Sequence, residues 1–239
     1  MRKLLVIGLL IPFIGFSQQK NVINVTRMFA KPEKINEFEK ALTTHAQKYH
    51  TGDWKWRVWS IESGPDAGGY MITEGPNSWE QLDSRGDLGA EHTLDITKNV
   101  LPLTEGQGSQ SYFEFETDLS TVQLTDYADK IIINHMITKP GKINSAGELL
   151  KKMKNTWQAS GESVAVYRAV GSGDPAYIYS TRLKQGLKEL AFDFRKPLKD
   201  RYNSANGDGS FDVFLKDYAD AIEKRWSEIL IFKPALSSK

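Results

Sequence analysis

The sequence contains no cysteine among its 239 residues. This absence excludes disulfides, a thiolate metal site, a cysteine nucleophile and a lipid-modified amino-terminal cysteine. The fold must therefore be stabilised by the burial of apolar surface. A chain of this length can bury enough surface as one large domain or as two small ones.

The sequence also lacks an excess of charge of either sign, with 31 Lys and Arg against 30 Asp and Glu. Because no basic stripe could follow a phosphate backbone, nucleic acid is not an expected partner. There is no Gly-x-Ser-x-Gly elbow, phosphate-binding glycine-rich loop, His-Glu-x-x-His motif or cluster with zinc-ligand spacing. The sequence therefore predicts no metal site and gives no support to a hydrolase or a nucleotide-dependent enzyme.

Long apolar runs are rare, and the one at the start of the chain, Leu4 to Phe16, follows the basic residues Arg2 and Lys3. This arrangement predicts a secretory signal peptide over residues 1–17 and export to the periplasm or the extracellular space. A membrane anchor is the alternative. No later run is long enough to span a bilayer, so we expect no integral membrane segment after cleavage.

The sequence contains an internal repeat: KPEKIN at 31–36 returns as KPGKIN at 139–144, a shift of 108 positions. In both copies apolar residues then recur at steps of three and four, which predicts an amphipathic helix. Pro32 and Pro140 lie at the start of these helices, where a missing N–H costs nothing.

Each copy also carries four segments with the composition of β-strands and a second helical region. The predicted strands are Val22 to Phe29, Trp54 to Ile61, Tyr70 to Thr73, Tyr112 to Thr117, Ile131 to Ile137, Ser163 to Val170, Tyr177 to Thr181 and Ile229 to Phe232. The order β-α-β-β-α-β therefore occurs twice, and it is that of the ferredoxin-like unit. We assign residues 18–118 to the first unit, 119–129 to a linker and 130–239 to the second unit.

A single ferredoxin-like unit leaves one face of its sheet without helices, and apolar residues there need a partner. Two copies in one chain can pack these faces together, which predicts an internal pseudo-dimer of class α+β. In the second copy, the helix that begins near Phe211 is expected to continue through Trp226.

The segments from Met136 to Lys142 and from Gly171 to Tyr177 resemble the dimeric α+β barrel superfamily. The resemblance extends over nearly all of the chain after residue 17, as a tandem fusion. It implies two ferredoxin-like units paired through their sheets. The superfamily includes antibiotic-biosynthesis-type monooxygenases, haem-degrading monooxygenases and many members with no known chemistry, so the resemblance implies a scaffold rather than an activity.

The haem-degrading branch is similar to this chain at three positions. The resemblance implies Asn134 on a first strand, Trp79 at the start of a second helix and His92 further along that helix as catalytic residues, with haem as the cofactor. The chain departs from the branch because Thr26 stands at the first-copy equivalent of Asn134, so the three residues are divided between the copies. The alternative is that His92 is a solvated or helix-packing histidine.

Four further residues are candidates for ligand binding. His45 lies in an apolar helical stripe where the second copy has Met153, and His135 alternates with isoleucines on a strand. Trp54 and Trp56 share one face of their strand and could form a stacking platform. Packing in the core is the alternative for all four.

The sequence thus favours an exported barrel that binds a small, largely apolar or aromatic ligand between its sheets. The first alternative is a monooxygenase, either cofactor-free or haem-linked. The second is a structural or interaction module in which Trp56, Met71 and their neighbours fill the barrel.

Overall fold

The computed structural model describes residues 19–106 and 108–239. The predicted signal peptide of residues 1–17 lies outside these ranges. The strands are β1 (Val22–Met28), β2 (Trp56–Ile61), β3 (Tyr70–Asn77), β4 (Ser109–Phe115), β5 (Lys130–Thr138), β6 (Val164–Val170), β7 (Ala176–Arg182) and β8 (Ile222–Phe232). The α-helices are α1 (Ile35–Tyr49), α2 (Trp79–Ser84), α3 (Ala90–Asp95), α4 (Ile143–Ala159), α5 (Leu198–Asn206) and α6 (Ser210–Ala221). Within the described ranges, none of these helices combines the length and the apolar character needed to cross a bilayer.

The strands form a closed antiparallel barrel in the order β1-β3-β2-β8-β5-β7-β6-β4. The first four strands lie side by side as β4-β1-β3-β2, and the last four as β8-β5-β7-β6. The pairs β2–β8 and β4–β6 join the two groups. Because the barrel is closed, none of the strands in the described part of the chain has a free edge that could pair with another chain.

The strand at the end of the chain is longer than the sequence predicts. It begins at Ile222, where the backbone changes from helical to extended (φ −103°, ψ 129°). Trp226, which was expected on a helix, lies on β8 opposite His135. The prediction was wrong because the pairing of β8 with β5 is non-local and overrides the helical spacing of this segment.

The two long helices cover the outside of the barrel. A glycine with a left-handed backbone follows each of them, Gly52 three residues after the end of α1 (φ 60°) and Gly161 two residues after the end of α4 (φ 65°). The face of α1 that packs on the barrel carries Phe38 and Leu42, both fully buried. Each helix covers an apolar core on the outer side of the sheet, α1 in the first half of the chain and α4 in the second.

A third apolar core lies in the lumen of the barrel. Strand alternation directs Trp59 and Met71 into the lumen, whereas Trp56 packs on the outer side, against the α1 core. The buried lumen residues are Val25, Trp59, Ile61, Met71, Ile131, Ile133, Ile178 and Leu230. Trp59, and not Trp56, is therefore the tryptophan that occupies the interior.

Candidate functional site

Three histidines meet on the outer side of the barrel, between the sheet and the helices of the first half. His45 lies on α1, His50 directly follows its last turn, and His92 lies on α3. One ring nitrogen from each residue lies within 4.8 Å of the others. His45 and His50 are almost fully buried, and His92 is partly exposed. We call these residues the histidine cluster.

Two carboxylates orient the cluster. Asp95 Oδ2 lies 2.7 Å from His45 Nδ1, and Glu74 Oε2 lies 3.0 Å from His50 Nδ1. An ionised carboxylate can only accept, so each Nδ1 carries the proton and donates it. In the neutral rings each Nε2 is then unprotonated and carries a free lone pair. The Nε2 atoms of His45 and His50 lie 3.3 Å apart.

Glu74 is held from several sides. Arg85 donates to both of its oxygens, at 2.6 and 2.8 Å, and Trp56 Nε1 donates at 3.0 Å. The indole of Trp56 also stacks on the His50 ring, with centroids 3.6 Å apart. The Arg85 guanidinium lies 4.2 Å above the Trp54 ring. His50 is therefore fixed by both a hydrogen bond and a stacked ring.

Burial affects the titration of all three histidines. It lowers the pKa of His45 and of His50, although Asp95 and Glu74 oppose the change. Burial, followed by the charge of His45, lowers the pKa of His92. Burial alone would raise the pKa of Glu74, but the bonds from His50 and Arg85 outweigh burial and lower it. Neutral imidazoles beside ionised carboxylates are therefore the favoured state.

The other two residues of the haem-type pattern lie elsewhere. Trp79 Nε1 donates to Glu114 Oε1 at 2.6 Å, and Asn134 Oδ1 accepts from Ser227 on the exposed side of the sheet at 2.7 Å. His92 is thus not grouped with Trp79 or Asn134. Its surroundings do not fit haem, because two further imidazoles stand close to it where a porphyrin would need an open slot.

His135 lies in the lumen, in a charged network separate from the histidine cluster. Glu228 is fully buried and accepts from His135 Nε2 at 2.6 Å and from both terminal nitrogens of Arg27. Arg27 also pairs with Asp66 at 2.6 Å, and the His135 ring stacks on Trp226 at 4.4 Å. This network fixes His135 as a partner of Glu228.

The lumen also contains a cavity of about 90 Å³. Its walls are mainly apolar, and they include two arginines, Arg57 and Arg182. Trp59 Nε1 and one terminal nitrogen of Arg182 are buried and find no hydrogen-bond partner among the described residues. The lining residues are Ile23, Val25, Arg57, Trp59, Met71, Thr73, Gly75, Phe113, Leu124, Tyr127, Ala128, Ile131, Ile133, Tyr167, Ile178, Ser180 and Arg182.

Sequence reasoning missed several residues of both sites. His50, Glu74 and Asp95 were not predicted in the histidine cluster, nor Trp59 and Arg182 in the cavity. One available signal was the position of His50, five residues after His45 and two residues before Gly52. The others come from different strands and helices, and only the folded chain brings them together.

Comparison with known proteins supports the fold. No protein-family model matches the sequence, and no curated protein matches it. Among solved structures, an anthrone oxidase-like protein matches with a TM-score of 0.60 and 15% identity, over 90% of this chain and 92% of that one. A candidate monooxygenase from Fusobacterium nucleatum subsp. nucleatum ATCC 25586 matches with a TM-score of 0.56 and 13% identity, over 88% and 91% of the two chains. A candidate monooxygenase from Lactobacillus acidophilus NCFM matches with a TM-score of 0.53 and 9% identity, over 92% and 97%.

At these identities the likeness establishes the fold alone. The protein is therefore an α+β protein with a closed eight-stranded antiparallel barrel, and it shares this fold with these solved structures. This agrees with the superfamily that the sequence resembles.

Proposed function

We propose that the protein binds a small, largely apolar ligand with one anionic or hydrogen-bond-accepting group in the lumen of the barrel. The observation that carries this proposal is the apolar cavity, two of whose lining residues, Trp59 and Arg182, each have a buried nitrogen without a partner among the described residues. A buried donor without a partner costs about 1–3 kcal/mol. A ligand acceptor would remove that cost.

Charge in the cavity favours an anion. Arg57 and Arg182 both contribute to the wall, and the lining residues include no Asp or Glu. Arg57 also lies over the ring of Tyr127, at 4.0 Å. Tyr127 belongs to the segment that links the two halves of the chain, so this segment would form the entrance to the cavity.

A cofactor-free monooxygenase is the second candidate. It is favoured by the similarity of the fold to an anthrone oxidase-like protein and to a candidate monooxygenase. Neither histidine nor carboxylate occurs among the lining residues, so the cavity offers no ordinary general base. The cavity is also smaller than the roughly 150 Å³ that holds benzene in an engineered protein. Anthrone, with three fused rings, would require the barrel to open, and we therefore favour binding over oxygenation.

Calorimetry with propanoate and butanoate, which are small enough for the cavity, and with dichloromethane as an uncharged reference, tests the proposal. We expect saturable binding of at least one carboxylate, and Trp59→Phe should weaken it by about tenfold, because this change removes the donor but keeps the ring. Binding of dichloromethane should be unaffected by Trp59→Phe. Trp157→Phe is the matched control, since Trp157 is also buried but lies in the outer core of the second half.

Absence of saturable binding for both carboxylates, or equal binding by Trp59→Phe, would reject the ligand site. Oxygen uptake with anthrone, measured with an electrode, addresses the second candidate. Uptake above that of buffer would favour the oxygenase.

We also infer that the two halves are tandem ferredoxin-like units that pair as an internal pseudo-dimer. The repeated motif at 31–36 and 139–144 and the equivalent strand orders β4-β1-β3-β2 and β8-β5-β7-β6 support this inference. Export is likewise a proposal, and it rests on the apolar run of Leu4 to Phe16. Sequencing the amino terminus of the protein recovered from the periplasm should place cleavage after residue 17.

A further inference from the structure

The histidine cluster contains an electrostatic conflict. Both Nδ1–H groups are used by Asp95 and Glu74, so the facing Nε2 atoms of His45 and His50 present two lone pairs to each other at 3.3 Å. Lone pairs at this distance repel unless a proton or a cation lies between them. The part of the chain that the structure describes offers no other donor to this pair.

His92 distinguishes between a proton and a metal ion as the occupant of this position. His92 Nε2 is buried and has no partner among the described residues. A single proton can bridge two nitrogens but leaves the third one unsatisfied. A metal ion accepts all three, because one nitrogen of each ring already lies within 4.8 Å of the others.

We propose that His45, His50 and His92 form a binding site for one divalent first-row transition-metal ion, with Asp95 and Glu74 as the carboxylates that orient two of the ligands. Imidazole nitrogen suits zinc, copper, nickel and iron, whereas calcium and magnesium prefer oxygen. Metal-binding histidines usually donate their other N–H to a carboxylate or a carbonyl, as His45 and His50 do.

The distances agree with such an ion. Metal–nitrogen bonds of 2.0–2.1 Å in a tetrahedral site place two ligand nitrogens about 3.4 Å apart. The separation of 3.3 Å between the Nε2 atoms of His45 and His50 matches one edge of that tetrahedron. The nitrogen of His92 lies within 4.8 Å of the other two, so a small movement of its ring would bring all three nitrogens to bonding distance of one ion.

Three protein ligands leave a fourth position for water or a small ligand, the arrangement found in catalytic zinc sites. His92 is partly exposed, so the ion and its fourth ligand can enter from that side. The second half of the chain cannot form the same site, because Met153 and Gln158 stand 108 positions after His45 and His50. The site lies outside the lumen and is independent of the ligand proposed there.

Calorimetric titration with ZnCl₂ of protein without an affinity tag, pretreated with EDTA, tests the site. One equivalent should bind, and Co²⁺ in its place should give the visible absorption of a tetrahedral ion. His92→Ala should weaken Zn²⁺ binding at least tenfold. Asp95→Asn should weaken it by about 10–100-fold, as loss of an orienting carboxylate does.

The matched control is His135→Gln, which changes the fourth histidine of the chain and should leave Zn²⁺ binding unchanged. Circular dichroism establishes that each variant is folded. If His92→Ala is unfolded, Asp95→Asn decides the question alone, because it keeps all three ligands. Less than one equivalent of Zn²⁺ bound by the unmodified protein, or unchanged affinity in the folded variants, would overturn the proposal.

Discussion

His45 and His50 face each other through their Nε2 atoms, 3.3 Å apart, while each ring is held from behind by its own carboxylate. The carboxylates come from different elements, Asp95 from α3 and Glu74 from β3. Two imidazoles can be held this close only because α1, α3 and the sheet are packed together. The arrangement therefore depends on the packed fold rather than on α1 alone.

Glu74 should be the residue on which this arrangement depends most. Glu74→Leu removes the acceptor of His50, Trp56 and Arg85 and leaves the Arg85 cation beside apolar surface. Breaking a buried charge pair costs about 3–5 kcal/mol. We expect a loss of that size in the free energy of unfolding, measured with urea.

The control for Glu74→Leu is Glu37→Gln, which removes an exposed ion pair with Lys34. Exposed pairs of this kind contribute little to stability, so this variant should be close to the unmodified protein. A loss below about 1 kcal/mol for Glu74→Leu would contradict the importance of the buried pair.

The network of Glu228 with Arg27 and His135 should make the stability of the protein sensitive to acid. Burial alone would raise the pKa of Glu228, but the bonds from Arg27 and His135 outweigh burial and lower it to about 2, from an ordinary value of 4.5. The unfolded chain therefore binds the proton more readily than the folded chain. The resulting stabilisation is present above pH 4.5 and disappears as the pH falls toward 2.

The size of this effect is on the order of 3 kcal/mol, since one pKa unit corresponds to about 1.4 kcal/mol. Urea unfolding at a series of pH values should show the decline, and Glu228→Gln should lower stability at pH 7 and flatten the curve below pH 5. Equal slopes for the two proteins between pH 5 and 2 would show that Glu228 is not the responsible group.

The apolar core between α1 and the sheet gives a further prediction. Leu42 is fully buried there, and Leu42→Ala should cost about 2–5 kcal/mol because it removes contacts and leaves a cavity. Leu94→Ala is the matched control, since Leu94 on α3 is 51% exposed and should change stability by about 0.5 kcal/mol or less. Similar losses for the two variants, measured by thermal unfolding, would contradict this packing.

Much of the fold could be predicted from the sequence because local patterns determine it. The period of α1 and α4 and the alternation of the strands placed all eight strands and both long helices. β8 was predicted too short because Ile222 to Ser227 follows a helical spacing, and only pairing with β5 makes this segment extended.

The candidate sites could be predicted only in part. His45, Trp56 and His92 were singled out from the sequence for separate reasons, yet the fold places them together. Glu74 and Asp95 could not be found, because acidic residues are common and only tertiary contacts distinguish these two. The sequence assigned Trp56 and Trp59 to opposite faces of β2, but which face meets the lumen depends on how the sheet closes.

The start of α2 provides the last prediction. Ser78 Oγ accepts from the Gln81 backbone N–H, and the Gln81 side chain accepts from the Ser78 backbone N–H, both at 3.1 Å. This capping box fixes the helix that carries the chain toward Arg85, and Ser78→Ala should destabilise the protein by about 1 kcal/mol. Ser78→Asp keeps an acceptor and should restore most of that loss, whereas Ser84→Ala, at the exposed end of α2, should have little effect. Urea unfolding measures all three variants, and equal stability of Ser78→Ala and Ser84→Ala would mean that the box contributes nothing to the position of α2.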